Sequence, residues 1–171
     1  MRIGLTRRMM VWCGAASMLL PAVSAVAAVN AYMIVVGAKQ GAIKSDVVRP
    51  GTPAGAIHLT SVVKETPAAT GATSGKRQHS VITITKEIDK ASPLLAQALV
   101  SNETMKTVQI VFAGSGAGAG KVAQKIELTN ATILSIRKAG NTEEIKLTYE
   151  SIEVTYTNGG KTAMDDWNAP I

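Results

Sequence analysis

The sequence predicts a mainly β fold, a sheet sandwich or barrel carrying one short helix, and three observations predict it. Apolar and polar residues alternate with period two along most of the chain. Valine, isoleucine and threonine dominate those stretches, and helical spacing with a start signal occurs convincingly once.

The clearest strand lies in "GKRQHSVITITKEIDKASPLL", residues 75–95, where Ile82 and Ile84 share one face and Val81, Thr83 and Thr85 take the other. Similar alternation marks 32–36, 57–63, 107–113, 122–137 and 143–157. In 122–137 the inward positions Ile126, Leu128, Thr132, Leu134 and Ile136 are all even-numbered, which predicts one unusually long strand. In 143–157 the phase slips instead: Ile145, Leu147 and Tyr149 are odd, while Ile152, Val154 and Tyr156 are even. A bulge at Glu150 and Ser151, letting one strand bend between two sheets, explains that slip; a tight hairpin is the alternative.

The helix begins at "SPLLAQALV", with Ser92 as N-cap and Pro93 at the first helical position. Leu94, Leu95, Ala98 and Leu99 form its apolar stripe, which covers an open end or face of the sheet. Loops are expected at 44–56 with Pro50 and Pro53, at 66–77, and at the glycine-rich 114–120.

With 171 residues, 46% of them hydrophobic and 18% charged, the chain suits one folded domain, expected over residues 29–171. The first 28 residues read separately. Arg2, Arg7 and Arg8 precede an apolar run over 9–20, then Pro21 and the small residues of "VSAVAA", which is the order of a secretory signal peptide cleaved after Ala27 or Ala28. The run is too short for a membrane span, and the mature form is expected to need no membrane. The expected location is therefore periplasmic or secreted, or cytoplasmic before secretion if the start site is misassigned.

Cleavage removes Cys13, the only cysteine, so no disulfide or thiolate metal site is available to the mature chain. It also removes three arginines, lowering the formal net charge from +6 to +3, and a nucleic-acid partner is not expected.

Candidate chemistry fails on spacing. "GSGAGAGK" has Ser115 where a phosphate loop needs its first glycine and Val122 where a magnesium-binding hydroxyl belongs. His58 and His79 lack metal-ligand spacing, and no G-x-S-x-G elbow accompanies them. Asp165 and Asp166 sit in a short tail with little to desolvate them, beside Trp167, which suits docking on a neighbouring surface. No catalytic, cofactor or metal residue is expected.

The segment "GKRQHSVITITKEIDKASPLLAQAL", followed in order by "KTVQIVF", "KIELTNATILSIRK", "TEEIKLTYESIEVTY" and "GGKTAMDDW", resembles the haemolysin-coregulated protein family of type VI secretion systems. "AYMIVVGAKQGAIKSD" resembles its first strand and loop, so the resemblance spans 30–167. It implies a compact two-sheet β-barrel that forms homo-hexameric rings, stacked head to tail into the inner tube of the apparatus. Sheath, spike and effector proteins are the implied partners, with effectors carried in the lumen.

By that analogy the 44–56 loop, with Pro50 and Pro53, is a candidate ring-to-ring contact. Lys76, Arg77, His79 and Lys86, together with the long strand, are candidate lateral contacts, and Trp167 is a further subunit contact. Two features depart from the family. Its members start near the position of Tyr32 without a cleavable signal, and aromatic residues common among them are replaced at Val62, Val63, Ala96 and 122–124. The leader favours an alternative, an exported paralogue that forms rings or binds partners outside the cytoplasm.

Overall fold

The period-two segments become strands in the computed structural model, which describes residues 30–65, 81–114, 121–157 and 160–166. Among these residues the order is β1 (Ala31–Gly37), β2 (Gly41–Ile43), β3 (Ile57–Leu59), β4 (Ser61–Glu65), β5 (Val81–Glu87), α1 (Ala91–Val100), β6 (Thr104–Ala113), β7 (Val122–Ala139), β8 (Thr142–Thr148), β9 (Ser151–Tyr156) and β10 (Lys161–Asp166). The strands pair antiparallel in the order β2-β1-β6-β7-β8-β5-β4, with β9 and β10 extending from β7 and β3 pairing with β1.

The hydrogen-bonded ladder does not close on itself. Its two sides are bridged by the chain: β3 pairs with β1 while β4, immediately after it, pairs with β5. The predicted single strand at 57–63 is therefore split at Thr60, whose N–H and hydroxyl both donate to the Thr85 carbonyl, at 2.8 and 3.1 Å. A barrel-like wall results, with a corner where a continuous ladder would otherwise run.

A second corner crosses the middle of the sheet. In β6 the exposed Lys106 and half-buried Thr107 stand between buried Met105 and Val108, and in β7 Thr129 and Asn130 stand between buried Leu128 and Ala131. Along the next edge Glu150 and Ser151 stand between buried Tyr149 and Ile152. These positions are in register: Met105 faces Ala131, Val108 faces Leu128, and Leu128 faces Ile152. Two outward residues where a flat strand would have one reverse the pleat, and neighbouring strands doing so together bend the sheet while every pairing survives.

β8 and β9 lie end to end on one edge of β7, with Thr148 opposite Thr132 and Ser151 opposite Thr129. The phase slip in 143–157 is thus a bend in a nearly continuous strand, and no hairpin interrupts it. The long strand is present as β7, 18 residues, but its phase is not constant. Ala131 and Ile133 point inward, Thr132 and the half-exposed Leu134 do not, and a further register shift between Ile133 and Ser135 returns Ile136 to the core. The cause is Asn130, at φ 50°, a left-handed conformation that asparagine tolerates better than most residues. Its side chain donates to Glu150 across the bend.

The helix starts before the predicted cap. Asp89 Oδ1 accepts the Ala91 N–H at 2.9 Å, and Ser92 Oγ accepts the Asp89 N–H at 3.1 Å. Ser92 is therefore inside the first turn; Lys90 is the N-cap and gives no side-chain hydrogen bond, and the Asp89–Ser92 pair ties together the turn that leads into the helix. At the other end Asn102, at φ 46°, lets the Glu103 N–H reach back to the Ala98 carbonyl at 2.8 Å. Ala91, Leu95 and Ala98 are buried, with Leu94 and Leu99 packed partly against the same core.

Leu95 meets Met33, Val35, Ile84, Met105 and Ile145 around an apolar void of about 10 Å³, far below the few hundred Å³ of a small-molecule pocket. The interior is packing, and no helix among the described residues is long and apolar enough to cross a membrane.

The bend makes a prediction about Asn130. Asn130→Val places a β-branched residue at positive φ and is expected to destabilise the fold by about 1–3 kcal/mol. Asn130→Gly, which relieves the backbone requirement, is expected to lose less. Urea midpoints of the two variants check this, and a valine variant as stable as the parent would remove Asn130 as the cause of the bend.

Candidate functional site

The alternation that buries Ile82 and Ile84 also carries Lys86 inward, since all three are two residues apart on β5. Its side chain is 0% exposed, and a bare ammonium there would be prohibitively unfavourable. Four acceptors surround Nζ: the Glu87 carbonyl at 2.6 Å, Asp89 Oδ1 at 2.7 Å, Ser92 Oγ at 3.0 Å and Glu143 Oε1 at 3.0 Å. Ser92 Oγ in turn donates to Glu143 Oε1 at 2.7 Å. Glu143 faces Lys86 directly across the β5–β8 ladder, while Asp89 and Ser92 come from the turn into α1.

Two carboxylates share this one ammonium, and donors run out before acceptors do. Glu143 Oε2 is buried and takes no hydrogen bond from a protein donor. Asp89 is better supplied. Burial pushes its pKa up, but hydrogen bonds from Lys86 and Ser45, the lysine charge and the Ala91 amide more than reverse this, leaving it below the ordinary aspartate value.

From Asp89 the network reaches the 44–56 loop. Ser45 Oγ donates to Asp89 Oδ2 at 2.6 Å and accepts the Val47 N–H at 3.1 Å. The Ser45 N–H donates to the Gly55 carbonyl at 3.0 Å, closing the neck of the loop. Gly55 sits at φ +80°, and a Cβ there would lie 3.0 Å from the Lys44 stem, so two restrictions favour glycine. Pro50 and Pro53 are on the exposed outer part of this loop, next to Val48 at 80% exposure.

His58 lies beneath the loop, its Nε2 3.5 Å from Thr52 Oγ1. Burial and then the Arg49 charge lower its pKa, against opposing contributions from the Val47 backbone, Asp89 and Glu87. A separate carboxylate, Glu103, braces the β1–β2 turn, accepting the Lys39 and Gln40 N–H groups at 2.6 and 2.9 Å and the Gln40 side chain at 2.9 Å. Hydrogen bonds from the Gln40 amide and side chain, helped by the Lys39 amide and charge, lower its pKa against the opposing effect of burial.

Of the expected contact residues, Lys86 is corrected. A side chain with no exposed surface, committed to four internal acceptors, cannot reach a neighbouring subunit; it braces the interior. Pro50 and Pro53 are placed at the surface as a contact would need, while Lys76, Arg77, His79 and Trp167 lie outside the described residues. Sequence reasoning gives Ser92 only as a helix cap and does not mark Asp89, Glu143 or Ser45. A signal existed for one of them: Glu143 is in the odd phase of Ile145, Leu147 and Tyr149, just as Lys86 is in the even phase of Ile82 and Ile84. Among the described residues no group of three or more His, Cys, Asp and Glu side chains is arranged to hold a metal ion.

Two predictions test this cluster. Lys86→Ala leaves buried Asp89 and Glu143 without their cation and is expected to cost about 3–5 kcal/mol, whereas Lys86→Met with Glu143→Gln is expected to recover part of that. Denaturant melts of the single and double variants measure it, and additive losses would contradict a shared network.

The second concerns pH. Asp89 and Glu103 have folded pKa values below their ordinary 3.8 and 4.5, so the unfolded chain binds more protons in that range. Their stabilisation is complete above those values and is lost as pH falls from about them through the lower folded pKa values. His58, lowered from 6.5, acts in the same direction and starts earlier, by a small amount because it is partly solvated. Melting temperature is expected to be flat near neutrality, to sag slightly below 6.5, and to fall steeply in acid, with the acid limb shallower in Asp89→Asn.

Comparisons with known proteins agree with this fold. The family described as "Type VI secretion system effector, Hcp" matches residues 57–156. The "Major exported protein" of Pseudomonas aeruginosa is 34% identical over 114 residues, covering 59% of this chain and 66% of that relative. Among solved structures, the secreted protein Hcp3 from Pseudomonas aeruginosa superposes with a TM-score of 0.68 at 28% identity, covering 81% of this chain and 99% of its own. A doubly substituted Hcp1 from Escherichia coli EAEC 042 shares the fold, with a TM-score of 0.69 at 24% identity and coverage of 81% and 99%. The family match takes in β3 to β9, including both corners and the whole Lys86 cluster, and the chain belongs to the Hcp family of type VI secretion proteins.

Proposed function

We propose that the protein is a structural subunit of a type VI secretion tube: a homo-hexameric ring that stacks head to tail and carries effectors in its lumen. The observation that carries this reading is the near-complete coverage of the solved Hcp3 chain, 99%, by a chain that itself matches the Hcp family over residues 57–156. In such a role no side chain needs to react. The ring instead needs a self-complementary lateral surface, and stacking needs two different faces that fit each other.

The 44–56 loop is the proposed stacking contact. It is an exposed projection with an apolar tip at Val48 and Pro50, tied down at its base. Lys76, Arg77 and His79 are proposed lateral contacts, and Trp167 is proposed to dock on a neighbouring subunit. Sheath and spike proteins are the further partners of this reading.

A second reading is favoured by one feature, the arginine-then-apolar-then-small pattern of residues 1–28, which lies outside the described residues. In it the leader is cleaved, and the ring acts in the periplasm or outside the cell without a contractile apparatus.

Native mass spectrometry and negative-stain imaging of the purified protein test the first reading, with hexamers and stacked rings expected. Monomers at micromolar concentration would sink it. Charge reversal at Lys76 and Arg77 is expected to dissociate rings, and intact hexamers in that variant would remove both residues from the lateral contact. N-terminal mass analysis of each compartment separates the two readings: a chain beginning near residue 29 that leaves the cell without a contractile apparatus supports the second.

A further inference from the structure

We propose that Asp89 is the positioning residue of the 44–56 loop, joining the buried Lys86 ammonium to the Ser45 hydroxyl so that the interior charge cluster sets the shape of a surface projection. One oxygen of its carboxylate serves the inside of the fold, accepting from Lys86 Nζ at 2.7 Å and the Ala91 amide at 2.9 Å. The other serves the loop, accepting from Ser45 Oγ at 2.6 Å. No other side chain named in the network has this division.

Beside a hydrogen bond between His58 and the Val47 backbone, three other polar ties join the loop to the body, each longer or more exposed. Asp46 accepts the Lys90 N–H at 3.2 Å in the open, Arg49 and Glu87 are 3.8 Å apart with both side chains half exposed, and Thr52 stands 3.5 Å from His58. Exposed pairs of this kind contribute little, whereas a short hydrogen bond to a desolvated carboxylate is among the stronger polar contacts. Ser45 is 8% exposed and the Asp89 side chain 5%. The buried bond is therefore shorter and better shielded than those three ties, and it acts beside the apolar seating of Ala56 against Tyr32 and Val111.

Ser45 passes the constraint on in two directions. Its hydroxyl takes the Val47 amide, fixing the rising limb, and its own amide takes the Gly55 carbonyl, fixing the descending one. Both limbs are thus referred to one atom pair at the base. A loop held this way presents Val48, Pro50 and Pro53 in one arrangement before any partner arrives, and preorganisation lowers the ordering cost of association. The consequence for assembly rests on the reading of this loop as the stacking contact; the tether itself does not.

Hydrogen exchange by mass spectrometry on the full chain, with imaging of ring stacks, tests both parts. Ser45→Ala is expected to raise exchange at least tenfold in peptides covering 44–56, while β6, β7 and α1 keep wild-type protection. Ser45→Thr, which keeps the hydroxyl, is expected to restore protection. Stacked rings are expected to shorten several-fold in Ser45→Ala, with single rings unaffected. Wild-type loop exchange in Ser45→Ala overturns the tether, as does loosening that spreads equally into β6 and β7, or a failure of Ser45→Thr to rescue. A loosened loop with undiminished stacks leaves the tether standing and overturns the assignment of the loop as the stacking contact.

Discussion

The contact on which the rest of the structure depends is the buried meeting of Lys86, Asp89 and Glu143. A buried ion cluster is a poor source of net stability, because each charge loses its hydration, and an apolar filling of the same volume often does as well. What the cluster supplies here is register. Lys86 faces Glu143 across β5 and β8, and sliding either strand by one residue would turn one partner outward and leave the other charged and alone in the core. A ladder of valine, isoleucine and threonine offers many near-equivalent pairings; the charge pair makes one of them far better than its neighbours.

These three residues, with Ser92 and Ser45, connect elements remote in sequence. Asp89 and Ser92 belong to the helix start, Glu143 to β8, and Ser45 to the loop after β2, so one small volume fixes a helix, two strands and a surface loop relative to each other. Cys13 is the only cysteine, so no disulfide within the chain is available for this task. Lys86, a candidate lateral contact by sequence, is instead the internal brace of the fold.

How much of this was legible follows from which signals are local. Most strand positions, the helix stripe and the bend near Glu150 were readable because each is a phase pattern within one segment; β2 and β10 were not, and residues 161–166, read as a tail, are a strand through their pairing with β9. The reversal in β7 was not, because Thr132 and Leu134 are plausible inward residues, and only the left-handed Asn130, set against Glu150 on another strand, decides between them and Ala131 with Ile133. The split at Thr60 depends on two different partner strands and has no local mark. For the cluster, Lys86 and Glu143 each stand in the apolar phase of their strands, although charge by itself suggests an exposed position. Alternation reports the direction of a side chain whatever its polarity, and a charged residue in the apolar phase asks for a partner.

That relation also bears on assembly. In the proposed tube role a subunit must offer two unlike faces in fixed orientation, since a small error at each ring accumulates along a stack. Surface loops ordinarily vary in conformation more than the sheets that carry them. Here the loop is referred through Ser45 and Asp89 to the most constrained point of the interior, so its orientation follows that of the β5–β8 ladder. The desolvation penalty of a buried triad is difficult to rationalise as stability alone. It becomes intelligible as the means by which a ladder with many possible registers, and a loop with many possible shapes, are given one of each.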